Sequence, residues 1–373
     1  LRAERQRLKL LLNNRDQLLD AMVTELKALK KRFSTPRRTR LVEGGDALMA
    51  ERAASQRPNT ELLRQQALAA LPGDGRVLIQ ADGQVKIVTP QVLGRLHLND
   101  PCPVGDAPSP ARVILPIEPP PRLLAVSAGG RIAQVRWEFA GQQPGPIDRF
   151  LPTGLDGDPI VSLLSLPSQN IDDLSLGLLS SDGRFKRLPL SEVVDLSGRA
   201  TSVLKLKEGV ELNNAVICRD QETLVLISDI GRLLRLRINE ESLPLMGRLA
   251  QGPMTMRLLP GEQIVGAVCT EQAPLMLFSQ RGMIGRIDCS GVRYNQRGDL
   301  GSIAVQVDAE SDRLVGISAG PGLVGVRTSK DRHGRLNPEN ITMSKPGDKL
   351  MEKMSLQSGE TIVEVINAIQ PNP

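Results

Sequence analysis

From Arg76 onward, apolar and polar positions alternate in short runs, the period of half-buried β-strands, and the runs come back at a regular interval. Each unit opens with an apolar strand, turns on a glycine and leaves along a strand that mixes apolar with basic residues. The six openings run Val77 to Gly83, Leu123 to Gly130, Leu176 to Gly183, Leu224 to Gly231, Leu275 to Gly282 and Leu323 to Gly334, which spaces the turn glycines 47, 53, 48, 51 and 52 residues apart. The agreement goes further than the turns. Cys218 and Cys269 lie 51 residues apart, as do Gly231 and Gly282, and Ile264-Val265-Gly266 matches Leu314-Val315-Gly316. A repeat near fifty residues with about four short strands predicts blades set around an axis. Six such blades close a disc and leave few bare strand edges.

The chain ahead of the repeats has a different period. Leu8, Leu11, Leu12, Leu18, Leu19, Met22, Leu26 and Leu29 recur at three- and four-residue steps among Arg and Lys, predicting a helical segment to about Phe33. Asn13-Asn14 marks a break, with Asp16 near the start of a second helix, and Lys27, Lys30, Lys31 and Arg32 suit the negative end of its dipole. Pro36 stops the pattern. A short amphipathic helix is expected near Thr60–Ala70, and Pro72-Gly73-Asp74-Gly75 reads as a turn into β structure. The expected organisation is a helical segment over 1–41, a linker over 42–75 and a β domain over 76–373.

Charge changes this picture by its distribution. The net charge is +5, yet residues 1–41 hold 12 Lys and Arg against 4 Asp and Glu, while the remainder holds 35 against 38. A basic surface on the repeats therefore has to come from placement rather than excess. With only seven aromatic residues in 373, the core has to be packed from Leu, Val, Ile and Met. The four cysteines form no CxxC pair and are expected to act as small apolar residues in a reducing cytoplasm. No run of 18 apolar residues predicts a membrane span, and no signal-peptide pattern opens the chain. Since the first residue is Leu1 rather than Met, the sequence reads as a fragment of something longer.

No catalytic constellation stands out: there is no GxSxG elbow and no Walker-type phosphate loop. His97 and His333 are read as solvated loop residues, and Tyr294 as a packing or surface residue. What does recur is cationic side chains just after the turn: Lys86; Arg131 and Arg136; Arg184, Lys186 and Arg187; Arg232, Arg235 and Arg237; Arg286; and Arg335. Arg235 and Arg237 alternate with Leu and so share one side of a strand. A second set, Arg199, Arg248, Arg293 and Arg297, follows between 11 and 17 residues after the turn. Cations at one radial place in every blade make a basic rim suited to the phosphates of duplex DNA. The competing reading takes them as solvated edges of a protein-interaction scaffold. The scarcity of aromatic rings argues against single-strand binding, which stacks bases on them.

Several stretches resemble a known family. Leu26 to Arg40, ending Pro36-Arg-Arg-Thr-Arg40, is similar to the helix and Arg-Arg-Thr segment that close the breakage-reunion region of type II DNA topoisomerase A subunits. Ile227-Ser-Asp-Ile-Gly-Arg-Leu-Leu-Arg-Leu236, Met246 to Gly252 and Leu259 to Gly266 resemble a blade of that family's C-terminal β-pinwheel. The resemblance implies a mainly β fold, a six-bladed pinwheel behind an N-terminal helical segment. It further implies a rim that bends or wraps duplex DNA and delivers it to a strand-passage core. An A-subunit homodimer formed through a missing N-terminal region, ATPase B subunits in a heterotetramer, and a cytoplasmic, nucleoid-associated location of bacterial type are also implied. ATP and magnesium are implied for the full assembly, and no cofactor for this fragment. Tyr294 does not match the family's active-site Arg-Tyr motif, so the fragment is not expected to cut DNA. Where gyrases carry a Gln-Arg-Arg-Gly-Gly-Lys-Gly box, this chain reads Leu93-Gly-Arg-Leu-His-Leu-Asn-Asp100, which points as much to a topoisomerase IV-like as to a gyrase-like protein.

Overall fold

The computed structural model describes residues 2–33 and 60–370, apart from 156, 195, 197, 271–273 and 321. The chain divides into two compact units, Leu1–Leu62 and Leu63–Pro373. In the first, helices Arg2–Asn13 and Arg15–Phe33 are separated at Asn14, whose side-chain oxygen accepts from the Asp16 amide at 3.1 Å and so starts the second helix. The break expected at Asn13-Asn14 is thus a capped helix start. Arg37 to Arg40 lie outside the described residues. The expected helix near Thr60 spans Thr60–Ala69. From Leu63 on, residues expected to be linker belong to the β unit: Leu68 and Leu71 pack on the core that holds Val77, Val85 and Trp137.

The second unit is mainly β and is built from six sheets. Each sheet begins with a hairpin whose turn is closed by a backbone hydrogen bond, and its third strand returns antiparallel to the first. The first blade orders Ala111–Pro116, Arg76–Gln80, Gln84–Val88 and Gly145–Pro146 from one edge to the other. The fourth orders Ile264–Thr270, Thr223–Ser228, Arg232–Arg237 and Ser302–Ile303. The third strands pack on one another in series from the second blade to the sixth, and the sixth packs on the first, so they surround the axis. Hairpin first strands such as Leu174–Ser180 and Thr223–Ser228 are buried along their whole length, since blades cover both faces. That is why a run such as Leu224 to Ile227 is continuously apolar rather than alternating. The cores lie between blades: Val225 and Ile227 of the fourth share a cluster with Leu275 and Leu277 of the fifth.

The outer edge of each sheet is met by a segment from the following blade, in five of the six sheets as a strand and in the third through isolated bridges. Gly145–Pro146 lies in the second blade's loop and pairs with the first; Thr201–Ser202 crosses from the third to the second; Ser302–Ile303 from the fifth to the fourth. Met254, in the fourth blade's loop, bridges Arg184 of the third, and Met343–Ser344 of the sixth pairs with Met283–Ile287 of the fifth. The exchange also closes the ring, because Cys102–Gly105 of the first blade pairs with His333–Leu336 of the sixth. Beyond the sixth blade, Ile369 exchanges backbone hydrogen bonds with Arg112 and Ile114 of the first.

One turn departs from the sequence reading. The sixth hairpin turns at Asp331, with φ 55°, where its amide donates to Thr328 O. Gly334 instead sits inside a strand, where a Cβ would lie 2.9 Å from a Val104 methyl of the visiting strand. Asp tolerates the left-handed region, so a glycine was not required at the turn. His333, read as a solvated loop residue, is buried in that strand.

Candidate nucleic-acid interface

The recurring cations separate into two layers. The inner layer begins at the residue directly after the turn. Arg184 Nη1 donates to Gly252 O at 3.1 Å, and Arg332 Nη2 to Val104 O at 2.8 Å. Arg232 donates to Leu300 O and, at 3.1 Å, to Arg257 O. Gly252, Val104 and Leu300 all belong to segments visiting from the next blade. Arg131 occupies the same place in the second blade but donates to Gly154 O of that blade's own return, at 2.7 Å.

Four residues after the turn, the pattern repeats. Arg187 Nη1 donates to Leu243 O at 2.8 Å, Arg235 Nη1 to Val292 O at 2.8 Å, and Arg286 Nη1 to Ile341 O at 3.4 Å. Arg335 places its three nitrogens on Asp100 O, Pro108 O and His97 O at 3.1, 2.9 and 3.2 Å. Each of these carbonyls lies in the incoming loop. A planar guanidinium with five donors suits this work, because a visiting segment arrives with unsatisfied backbone acceptors. In the first two blades the corresponding residues are Ile87 and Gln134, which lack that fork.

Burial confirms the division. Lys186, Arg187 and Arg232 are 0%, 3% and 6% exposed, so these three candidate DNA contacts are structural cations inside the blades. Arg232 forms a buried two-contact pair with Glu262. Burial pushes the Glu262 carboxyl up, but hydrogen bonds from Arg232, the Leu259 amide and Ser228 outweigh it and hold the group below its ordinary range. Glu360 beside Arg332 follows the same logic: burial raises it, and Thr328, the Gln357 amide and Arg332 bring it below normal. Lys186 Nζ donates to Val203 O and Arg248 O, both at 2.6 Å. Desolvation nonetheless lowers its ammonium to about 8, against the pull of Glu192. Gly252 lets this crossing happen, since a Cβ there would sit 2.9 Å from the Lys186 Cβ.

Lys86 is half-buried on Gln80 Oε1 at 3.0 Å, and Arg136 reaches Gly198 O at 3.4 Å. Arg235 and Arg237 do share one side of their strand: both guanidiniums reach the Tyr294 ring, 4.0 and 5.4 Å from its centre. Tyr294 Oη lies 2.9 Å from Thr223 Oγ1, and this hydrogen bond, with the two arginines, lowers the phenol's pKa. Arg237 is exposed.

The outer layer is the second set. Arg199, Arg248, Arg293 and Arg297 are all exposed, and all lie in loops that carry the visiting segments across the outer edge. Arg248 meets the half-exposed Glu192 at 3.1 Å. Arg297 Nη1 donates to Ser242 O at 3.2 Å, tying the fifth blade's loop to the fourth's. Further exposed cations occupy such loops, among them Arg149 from the second blade, Lys205 and Lys207 from the third, Arg257 from the fourth, and Lys345 and Lys349 from the sixth. The sequence could have shown the sixth blade's two lysines, which follow the sixth turn by 14 and 18 residues once that turn is placed at Asp331; Arg199 and Arg248 follow theirs by 16 and 17. At the equivalent of the gyrase box, a short helix Pro90–Arg95 leads to His97 and Asp100, whose carbonyls are held by Arg335.

A ring of blades of three to five strands, whose outer edges receive segments from the next blade, defines a β-pinwheel. Residues 178–219, 222–271 and 273–319 match, one after another, the family model of the DNA gyrase C-terminal domain, beta-propeller, and the three matches fall on the third, fourth and fifth blades. The chain is 30% identical over 184 residues to the A subunit of DNA topoisomerase 4 from Synechocystis sp., covering 46% of this chain and 20% of the relative. It is 28% identical over 142 residues to the A subunit of DNA gyrase from Mycolicibacterium smegmatis, covering 38% and 17%. The chain thus spans about a fifth of the length of these curated relatives. Two solved structures share the fold: the C-terminal domain of DNA topoisomerase IV, with TM-score 0.64 at 15% identity over 79% of this chain and 93% of that one, and the DNA gyrase A C-terminal domain, with TM-score 0.62 at 16% identity over 79% and 99%. The sequence resemblance to type II topoisomerases is upheld at the level of this β-pinwheel.

Proposed function

We propose that the β unit binds duplex DNA along its outer edge and bends or wraps it toward the strand-passage core of an ATP-dependent type II topoisomerase, gyrase-like or topoisomerase IV-like. The observation that carries this reading is the exposure of Arg199, Arg248, Arg293 and Arg297 on successive visiting loops. Cations at one radial place on neighbouring blades meet a regularly charged polymer at repeated points, whatever the unit's net charge. The family resemblance extends the proposal to the assembly: an A-subunit dimer, ATPase B subunits, and a cytoplasmic, nucleoid-associated setting. Among the described residues no helix is long and apolar enough to cross a membrane. ATP and magnesium belong in this proposal to the rest of the assembly. Among the described residues no three His, Cys, Asp or Glu side chains converge as metal ligands would.

The test is duplex-DNA affinity across a salt series. Binding weakens with a log–log slope of roughly −0.9 for each phosphate neutralised. A flat slope, or no binding at low salt, leaves the protein-interaction scaffold as the better reading.

A further inference from the structure

The visiting loops expose apolar side chains as well as cations. Leu245 and Leu249 in the fourth blade's loop are 43% and 72% exposed, Leu300 and Ile303 in the fifth's 42% and 52%, and Met343 and Met351 in the sixth's 45% and 65%. Each pair has an exposed cation beside it: Arg248, Arg297 and Lys345 respectively. One bare leucine needs no explanation, but the same pairing on three consecutive loops is a patterned surface. Aliphatic groups contribute nothing to phosphate binding. They fit what lies between phosphates, the sugar walls of the minor groove and the base steps beneath them. On a duplex that curves around a protein, the minor groove faces inward once per helical turn and is compressed there, and apolar wedges at such places partly unstack a base step. Arg248, Arg297 and Lys345 give each pair a cation to meet a neighbouring phosphate, although Glu240, Asp299 and Asp348 lie in the same loops. A polyanion suits those cations better than an apolar protein partner does.

We infer that these aliphatic pairs are minor-groove wedges, so the rim selects duplex by deformability rather than by base sequence. The inference rests on the DNA-binding reading above and deepens it. A rim with wedges prefers DNA rich in pyrimidine–purine steps, which unstack easily, over stiff A-tract DNA of equal length and charge.

The test uses the whole chain, as wild type and as a triple variant Leu249→Ser, Ile303→Ser, Met351→Ser, with two end-labelled duplexes of those kinds. Wild type binds the flexible duplex roughly tenfold tighter and brings its ends closer by energy transfer. The variant loses both differences while keeping the salt slope. Equal wild-type affinity for the two duplexes, or a variant that keeps the preference, overturns the inference and leaves DNA binding standing. Failure of wild type to bind either duplex at low salt removes the DNA-binding reading itself. If the serines abolish self-association measured by sedimentation and leave the duplex preference intact, the occupant of these side chains is a second copy of the chain, and the wedge assignment is wrong.

Discussion

Arg187 and Arg248 belong to the same repeat pattern, yet one is 3% exposed and holds a neighbour's backbone while the other projects from the outer edge. The same contrast separates the whole inner layer, with Arg184, Arg232, Arg235, Arg286 and Arg335 on carbonyls of visiting segments, from the outer layer of Arg199, Arg248, Arg293 and Arg297. Periodic cations in a blade repeat are therefore of two kinds. In the third to sixth blades the first kind serves strand exchange, satisfying the backbone of a segment the blade did not supply. The second kind is exposed along the outer edge, where a polyanion can reach it, as it can the open Arg237.

The sharpest way to break this comparison is at Arg232. Replacing it with Ala leaves Glu262 buried without its partner, and about 3–5 kcal/mol of stability is expected to be lost, read from the denaturant midpoint. A loss below about 1 kcal/mol would place Arg232 with the outer layer. Next comes Arg335→Ala at the joint between the sixth and first blades. Three main-chain acceptors lose their donor, for a cost of about 2–4 kcal/mol and faster proteolysis between residues 97 and 108.

Lys186 sharpens the comparison through pH. Its folded value near 8 lies below the ordinary 10.5, so below pH 8 both states hold the proton and the cost of burying the ammonium is fully present. Between pH 8 and 10.5 the folded state gives up the proton while the unfolded state keeps it, so stability rises with pH, by on the order of 3 kcal/mol. The Lys186→Met variant should lack that rise. Equal pH profiles for the two proteins would show that Val203 O and Arg248 O keep Lys186 charged throughout. The smallest stability effect is expected at the rim: Arg199→Ala and Arg293→Ala each change stability by less than about 0.5 kcal/mol, since neither removes a buried contact.

Much of the fold was legible in the residues. Turn glycines near fifty-residue spacing gave the blades, and Asn13-Asn14 gave the helix break. The exception at Asp331 shows the limit of reading glycine as the mark of a turn, since a left-handed residue need not be glycine. The exchange of outer strands was not legible. Gly145–Pro146 and Ser302–Ile303 are two-residue strands whose partners lie in the preceding blade, and so short a segment has no period of its own. That hidden exchange is also why the two cation layers looked alike. Arg235 and Arg237 alternate with leucine as exposed residues do, but a segment arriving from the fifth blade covers Arg235 and leaves Arg237 open.

The central claim, that the outer cations and not the inner ones meet DNA, comes down to one number: the salt dependence of duplex affinity for the chain carrying Arg199→Ala, Arg248→Ala, Arg293→Ala and Arg297→Ala together. The expected result is a folded protein whose log–log slope is shallower than wild type by roughly 0.9 for each arginine removed. An unchanged slope in a variant of unchanged stability would contradict it.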